Sequence, residues 1–413
     1  MSTLLDSYAD VAGQGAIDQV RALARPLRGL KVVNVNSTRS GGGVAEILGW
    51  LVTLLRELGL DASWEVVEGG PPYFACTKAF HNGLQGQPVA LDEAMLREYE
   101  RTNAENAERL RGSLGEADLV VVHDPQPAAL RAAVPTRRGR WVWRCHIDAS
   151  RPYRPVWKYL RRHVVGYDAS VFSLPDFAQR LPHRQFLIPP SIDPLSDKNV
   201  ELDAGEVDEV RRRFNLDPGR PLVTQISRFD RFKDPVGVVR AWRLARRQVP
   251  GLQLVLAGGE ATDDPEGAEV FREVQAAAAG EPDVRLLLLP PDAHRLINAL
   301  QRASDVVLQK STREGFGLTV SEALWKGRPV IGGNTGGIRL QVVDHHTGFL
   351  VDTPEGAAER LRYLLSRPSL RDSMGARGRA FVRENFLLTR HLAEYLALFN
   401  VLLRGDAERI EVG

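Results

Sequence analysis

The chain is predicted to be an α/β protein of two doubly wound domains with a cleft between them, and three observations predict it. At 413 residues it exceeds what a single hydrophobic core usually serves, and two domains of about 200 residues suit it. Short β-branched runs alternate with helix-length segments, which indicates parallel sheets covered by helices on both faces. The alternation stops in a stretch rich in Pro, Ser and Asp, IPPSIDPLSDKNVELDAG (188–205), and then restarts, so that stretch reads as an interdomain linker. The expected division is 1–190, 191–385, and a helical segment 386–413 that crosses back to the first domain.

The first strong strand is KVVNVN (31–36), which runs through STRSGGG into the apolar-periodic helix VAEILGWLVTLLRELGL. Further strands are expected at LVVVH (119–123), WVWRCH (141–146) and ASVFSL (169–174). After the linker come LVTQISR (222–228), LQLVLAG (252–258), VRLLLL (284–289), DVVLQ (apolar core 305–308), PVIGG (329–333) and GFLVD (348–352). From about Arg371 the pattern is helical, with Phe381, Phe386, Leu392, Tyr395, Leu396 and Phe399 able to cover another surface. In doubly wound sheets ligands bind beyond the carboxyl ends of the strands, so functional residues are expected in strand-end loops.

Charge narrows the partners. The 54 basic and 52 acidic side chains leave a formal charge of +2, too little to attract nucleic acid or an anionic membrane. Arg137, Arg138, Arg140, Arg161 and Arg162 read as a solvated face balanced by nearby acids. Cys76 and Cys145 have neither redox nor zinc spacing. The N-terminus lacks an apolar signal core, and no run approaches the roughly 18 residues of a membrane span. A cytoplasmic protein is expected.

Three motifs carry chemistry. The run Gly41, Gly42, Gly43 lies between a strand and a helix, where backbone amides and the helix dipole favour a phosphate or sugar oxygen. A tight turn accounts for it equally well, and the spacing is neither the dinucleotide nor the Walker pattern. In ISRFDRFKDP, Arg228 and Lys233 at a strand end suit a diphosphate, the first as a fork and the second as a compact charge. The bland alternative pairs them at the surface with Asp230 and Asp234. In STREGFGLTVSEAL, Glu314 sits in a loop opened by Gly315 and Gly317, and Glu322 follows eight positions on inside a helix. Amides from Phe316 through Leu318 to Thr319 face a phosphate, and each carboxylate can accept two hydroxyl bonds, one set from a sugar and one from a ribose. The loop GGNTGGI (332–338) is either a backbone-rich loop near the site or a plain turn.

Arg228, Lys233, Glu314 and Glu322, in that order and spacing, resemble the retaining glycosyltransferases of family 4, whose GT-B fold has two facing Rossmann-like domains. VNSTRSGGGVAEIL, WEVVEG, TKAFHNGLQG and PPSIDPLSDKN are similar, more narrowly, to the trehalose synthases of the glycosyl-transferring type. That resemblance runs from about Val33 to about Asn385. It implies transfer of glucose from a nucleotide diphosphate glucose, ADP-glucose or UDP-glucose, to free glucose, giving α,α-trehalose with retention. It further implies that Arg228 and Lys233 stabilise the leaving diphosphate, Glu314 holds the donor sugar, Glu322 holds the ribose, and Gly42 and Gly43 approach the donor. The family's histidine beside the reacting sugar falls on His146 in RCHIDAS, with Asp148 able to bind acceptor hydroxyls; a core histidine bonded to backbone is the alternative. The resemblance suggests a homodimer and no obligatory cofactor, magnesium acting at most as a stimulant. Lys310 and Arg313 are extra cations without an assigned role, and His345 and His346 read as structural.

Three rivals stand beside this reading. A trehalose phosphorylase would use the same anion clamp for inorganic phosphate. A non-catalytic two-domain sugar-binding protein would not need the Arg228 and Lys233 pair. A transferase acting on lipid or polysaccharide would be expected to bear a basic amphipathic surface.

Overall fold

The computed structural model describes residues 3–40, 42–259 and 265–404. Ile192–Leu387 form one compact unit, and the described residues up to Ser191 and from Leu388 onward form the other. The expected helical segment 386–413 continues beyond Arg404 into residues outside the described ones.

The first unit is built on six parallel strands: β1 (Lys31–Asn36), β2 (Asp61–Val66), β3 (Leu119–His123), β4 (Arg140–Arg144), β5 (Ala169–Phe172) and β6 (Arg184–Leu187), in spatial order β2-β1-β3-β4-β5-β6. Every residue of β3 is buried, which is why LVVVH reads as a continuous apolar run rather than an alternating one. The register places Asn34 opposite Val121 and His123 opposite Arg144, so polar groups of β1, β3 and β4 collect near one end of an apolar sheet. The helix Leu388–Arg404 belongs to this unit and is fixed to Gln14–Ala24, with Asn400 Nδ2 donating to the Leu23 carbonyl at 2.9 Å.

The second unit repeats the plan with β7 (Leu222–Ile226), β8 (Gln253–Gly259), β9 (Val284–Leu289), β10 (Val306–Gln309), β11 (Val330–Gly333) and β12 (Gly348–Val351), in spatial order β12-β11-β10-β7-β8-β9. Both sheets are parallel throughout, so the α/β class of two Rossmann-like units is the observed one. The strands expected from sequence all form. β2 and β6 were not expected; they are the sheet edges, and most of their residues are half-buried or exposed. Several strands end sooner than expected, β5 at Phe172 and β12 at Val351 among them, and two of these endings bear on the site. β4 stops at Arg144, so His146 lies in a loop, and β7 stops at Ile226, so Arg228 stands two residues beyond the strand rather than closing it.

The linker segment is irregular as expected, but it is not loose. Ile192 pairs with Leu387 in a single parallel bridge. Asn199 is buried, donates to the Asp193 carbonyl at 2.9 Å and accepts from Lys326 Nζ at 3.0 Å. Among the described residues no helix is long and apolar enough to cross a membrane.

Candidate active site

Each sheet reverses its strand order once; the loops after β7 and β10 and those after β1 and β3 sit at those two points, and the loop after β4, which carries His146, lies one strand over from the latter. In the second unit the reversal falls between β7 and β10. A crevice forms at such a point because successive crossovers leave in opposite directions. The loop after β7 carries Arg228 and Lys233, and the loop after β10 carries Glu314. The backbone ties them together, Thr312 N donating to the Phe232 carbonyl at 2.7 Å, and the Gln225 side chain of β7 steadies the first loop by donating to the Lys233 carbonyl at 2.8 Å. Lys233 Nζ lies 2.5 Å from Glu314 Oε2, and both side chains are largely buried. Ser311 Oγ donates to the same carboxylate oxygen at 3.2 Å. Arg228 is half-exposed and reaches Asp230 at 3.2 Å.

Two supports were invisible in the sequence pattern. Asp234 follows Lys233 in left-handed backbone, φ 49°, and caps the helix Pro235–Ala245 by accepting from Gly237 N at 3.0 Å. Lys310, buried, forms an ion pair with Asp234, which gives that cation a role in holding the Lys233 loop. The GGNTGGI loop is more than a plain turn: Gly337 N donates to the Glu314 carbonyl at 3.2 Å, and a Cβ on Gly336, φ 43°, would fall 1.8 Å from that carbonyl oxygen. Only glycine allows the two loops to lie so close.

Gly315 and Phe316 continue the loop, Gly317 precedes the helix Leu318–Trp325, and Leu318 opens it. The Phe316 carbonyl is held by Gln341 Nε2 at 2.5 Å. Glu322 lies within this helix, 2% exposed, and its Oε2 has no hydrogen-bond partner among the described residues. One turn on, Lys326 Nζ donates to the Glu322 main-chain carbonyl at 3.0 Å, and burial pushes its ammonium down to about 7 against the pull of Glu322.

In the first unit the reversal falls between β1 and β3. Gly42, φ 83°, precedes the helix Gly43–Glu57, and a Cβ there would meet nothing within 4 Å; Gly41 lies outside the described residues. His146 is half-buried in the loop after β4, its amide donating to Asp124 Oδ1 at 2.7 Å. Its Nε2 lies 3.0 Å from His123 Nδ1, the two rings edge to edge with planes 17° apart, and His123 Nε2 lies 3.2 Å from Asn34 Oδ1. Both bonds of this histidine therefore run to side chains, the ring to His123 and the main-chain amide to the Asp124 carboxylate. Asp148 is buried, and its Oδ1 accepts from Ser150 N at 3.0 Å and from Ser150 Oγ at 2.6 Å, ordering the turn that follows His146.

Sequence reasoning missed His123, Asp124, Arg144 and His391 around this histidine. Arg144 is fully buried; it donates to Ser173 Oγ at 3.2 Å, while its Nε and Nη1 have no partner among the described residues. Burial, helped by Arg144, holds His123 down at about 3, and lowers His146 and His391 well below the usual imidazole range. Burial also pushes Asp124 up to about 7, against its bond from the His146 amide. A polar HD pair closing an apolar strand, VVVHDP, was the available signal.

Two parallel Rossmann-like sheets with a cation and carboxylate pair at one reversal point define a class, the GT-B glycosyltransferases. The family described as glycosyl transferases group 1 matches residues 206–381, and that described as trehalose synthase, N-terminal domain, matches residues 34–179. A trehalose synthase of Pyrococcus horikoshii is 46% identical over 402 residues, covering 96% of each chain. A trehalose phosphorylase of Pleurotus pulmonarius is 30% identical over 461 residues, covering 97% of this chain and 61% of its own. The α,α-trehalose 6-phosphate synthase of Burkholderia multivorans has a similar fold, with a TM-score of 0.74 at 17% identity over 91% of this chain and 99% of that one. The chain belongs to the trehalose synthase family.

Proposed function

We propose that the protein transfers glucose from a nucleotide diphosphate glucose, with ADP or UDP as the carrier, to free glucose, forming α,α-trehalose and the nucleoside diphosphate with retention. The observation that carries this reading is the Lys233 and Glu314 pair, 2.5 Å apart beside the half-exposed Arg228 at the β7 and β10 reversal. A sugar diphosphate brings to one place a leaving anion for two cations and hydroxyls for one carboxylate. Fixed cations aimed at developing negative charge stabilise the transition state without reorganising. Glu322 Oε2, buried without a partner among the described residues, is suited to a ribose hydroxyl, because an unpaired buried acceptor is costly until a donor arrives. Gly42 and Gly43 are the proposed backbone contacts to the donor, and His146 with Asp148 the proposed acceptor contacts. Turnover is expected to need no metal and so to survive a chelator, with magnesium at most raising it.

The decisive experiment is a product assay with free glucose and a panel of nucleotide sugars. Trehalose formed in step with nucleoside diphosphate supports the reading. Glucose 1-phosphate formed from trehalose and inorganic phosphate, without nucleotide, would replace it with a phosphorylase. Tight glucose binding with no nucleoside diphosphate released from any nucleotide sugar would make the protein a sugar binder.

A further inference from the structure

Two strands and a loop that are distant in sequence, β1, β3 and the loop after β4, bring Asn34, His123 and His146 into one line of ring and amide contacts. The order of polarity along that line is set at its buried end. Asn34 turns its amide oxygen to His123 Nε2 at 3.2 Å, its buried amide nitrogen meeting no partner among the described residues, and an oxygen there can only accept. His123 consequently keeps its proton on Nε2 and offers the Nδ1 lone pair to His146 Nε2 at 3.0 Å. A lone pair at that distance demands a donor. We infer that His123 is a positioning residue for the transfer reaction: it holds His146 with the ring proton on Nε2 and leaves Nδ1 as the acceptor offered to a sugar hydroxyl.

The geometry supports each half of this. His123 is 1% exposed and Asn34 is fully buried, so water does not compete for either bond. The His146 main chain is fixed by its amide bond to Asp124, which leaves the imidazole torsions to be settled by His123. Among the described residues nothing bonds His146 Nδ1. The surroundings also keep the ring neutral, as an acceptor must be. Arg144 from β4, His123 from β3 and His391 from the helix Leu388–Arg404 all disfavour a second proton on it, in addition to burial, and Asp124 meets its backbone rather than its ring. The second tautomer, protonated on Nδ1, would turn a donor toward the sugar and leave two lone pairs facing each other between the histidines. An equivalent logic operates wherever a histidine's working nitrogen is chosen by the bond its other nitrogen makes.

The inference rests on the reading of His146 as a sugar contact, and its test separates the two. Long-range nitrogen to proton correlation spectra of the full-length, ligand-free protein with labelled histidine, the His146 signals assigned from His146→Ala, report the tautomer without any substrate. Nε2 protonation between pH 7.5 and 5.5 is expected, and Nδ1 protonation would overturn the inference. In kinetics, His123→Phe should lower kcat roughly tenfold, the weight of one supporting hydrogen bond, with the donor KM nearly unchanged. His123→Asn, whose amide oxygen can replace Nδ1, should recover kcat. A His123→Phe enzyme with wild-type kcat would also overturn it, and if that variant does not fold, the wild-type tautomer decides alone. An unchanged rate in His146→Ala would instead remove the sugar contact itself, and the positioning role with it.

Discussion

The carboxyl ends of the two sheets hold opposite kinds of polar chemistry. At the β7 and β10 reversal the ionisable groups are paired and partly open, Lys233 with Glu314, Lys310 with Asp234 and Arg228 with Asp230. At the β1 and β3 reversal they are buried and largely unpaired by charge: three imidazoles held neutral around Arg144, whose guanidinium finds only one hydroxyl among the described residues. On the proposed reading, the contrast suits what each end would serve. A diphosphate needs fixed positive charge that can be approached, whereas hydroxyls of an uncharged sugar are sorted by neutral donors and acceptors of defined direction.

The comparison breaks most sharply at the clamp. Lys233→Ala should lower kcat about a hundredfold, as loss of one fixed donor at a developing anion does, while a thermal melt moves by only a few degrees. Initial rates of nucleoside diphosphate release measure it; a near-normal rate would make this end a structural ion pair and no more. Next comes the loop contact. Gly336→Ala should cost about 2 kcal/mol in denaturant unfolding, because its Cβ cannot share space with the Glu314 carbonyl and its φ of 43° strains any other residue.

The buried end is sharpened by acid. His123, His146 and His391 have folded pKa values below the ordinary 6.5, so between 6.5 and those lowered values the unfolded chain binds protons that the folded one refuses. Stability present above pH 6.5 is therefore lost as the pH falls through that window. Asp124 acts in the other direction, since its folded value near 7 against 3.8 lets the folded state hold a proton the unfolded state gives up, favouring the fold as the pH falls from about 7 toward 4. Three imidazoles against one carboxyl leave a net loss. Urea midpoints from pH 7.5 to 4.5 should fall, and a midpoint that rises would reverse the assignment of the buried groups. The smallest effect is expected at Glu322→Gln: a donor KM raised about fivefold with kcat held, corresponding to about 1 kcal/mol of hydrogen bonding to the donor.

The same contrast explains what could be read from sequence. Arg228, Lys233, Glu314 and Glu322 stand in two short segments whose strand, loop and helix signals are local, so the order of the motif was visible before the fold. Asn34, His123, Arg144 and His146 become neighbours only through sheet order, and each taken alone is an unremarked polar residue in or just beyond an apolar strand. Edge strands β2 and β6 escaped for a related reason: half-exposed on the sheet margin, DASWEV and RQFL lack the continuous apolar run that marks the central strands. Strand ends were overextended at Cys145 and Ser227 because both still bond to the neighbouring strand after the regular ladder has stopped.

The main-chain tie from Thr312 to Phe232 means that the clamp is assembled before any donor arrives. On the proposed reading, what stands in the donor's way is then Glu314 itself, an internal anion already occupying the lysine. Each binding event would be an exchange of one anion for another at Lys233 Nζ, and the carboxylate it displaces is the group proposed to be set free for the sugar. Release of the nucleoside diphosphate would run the exchange backward, with the returning carboxylate competing the product off its cation.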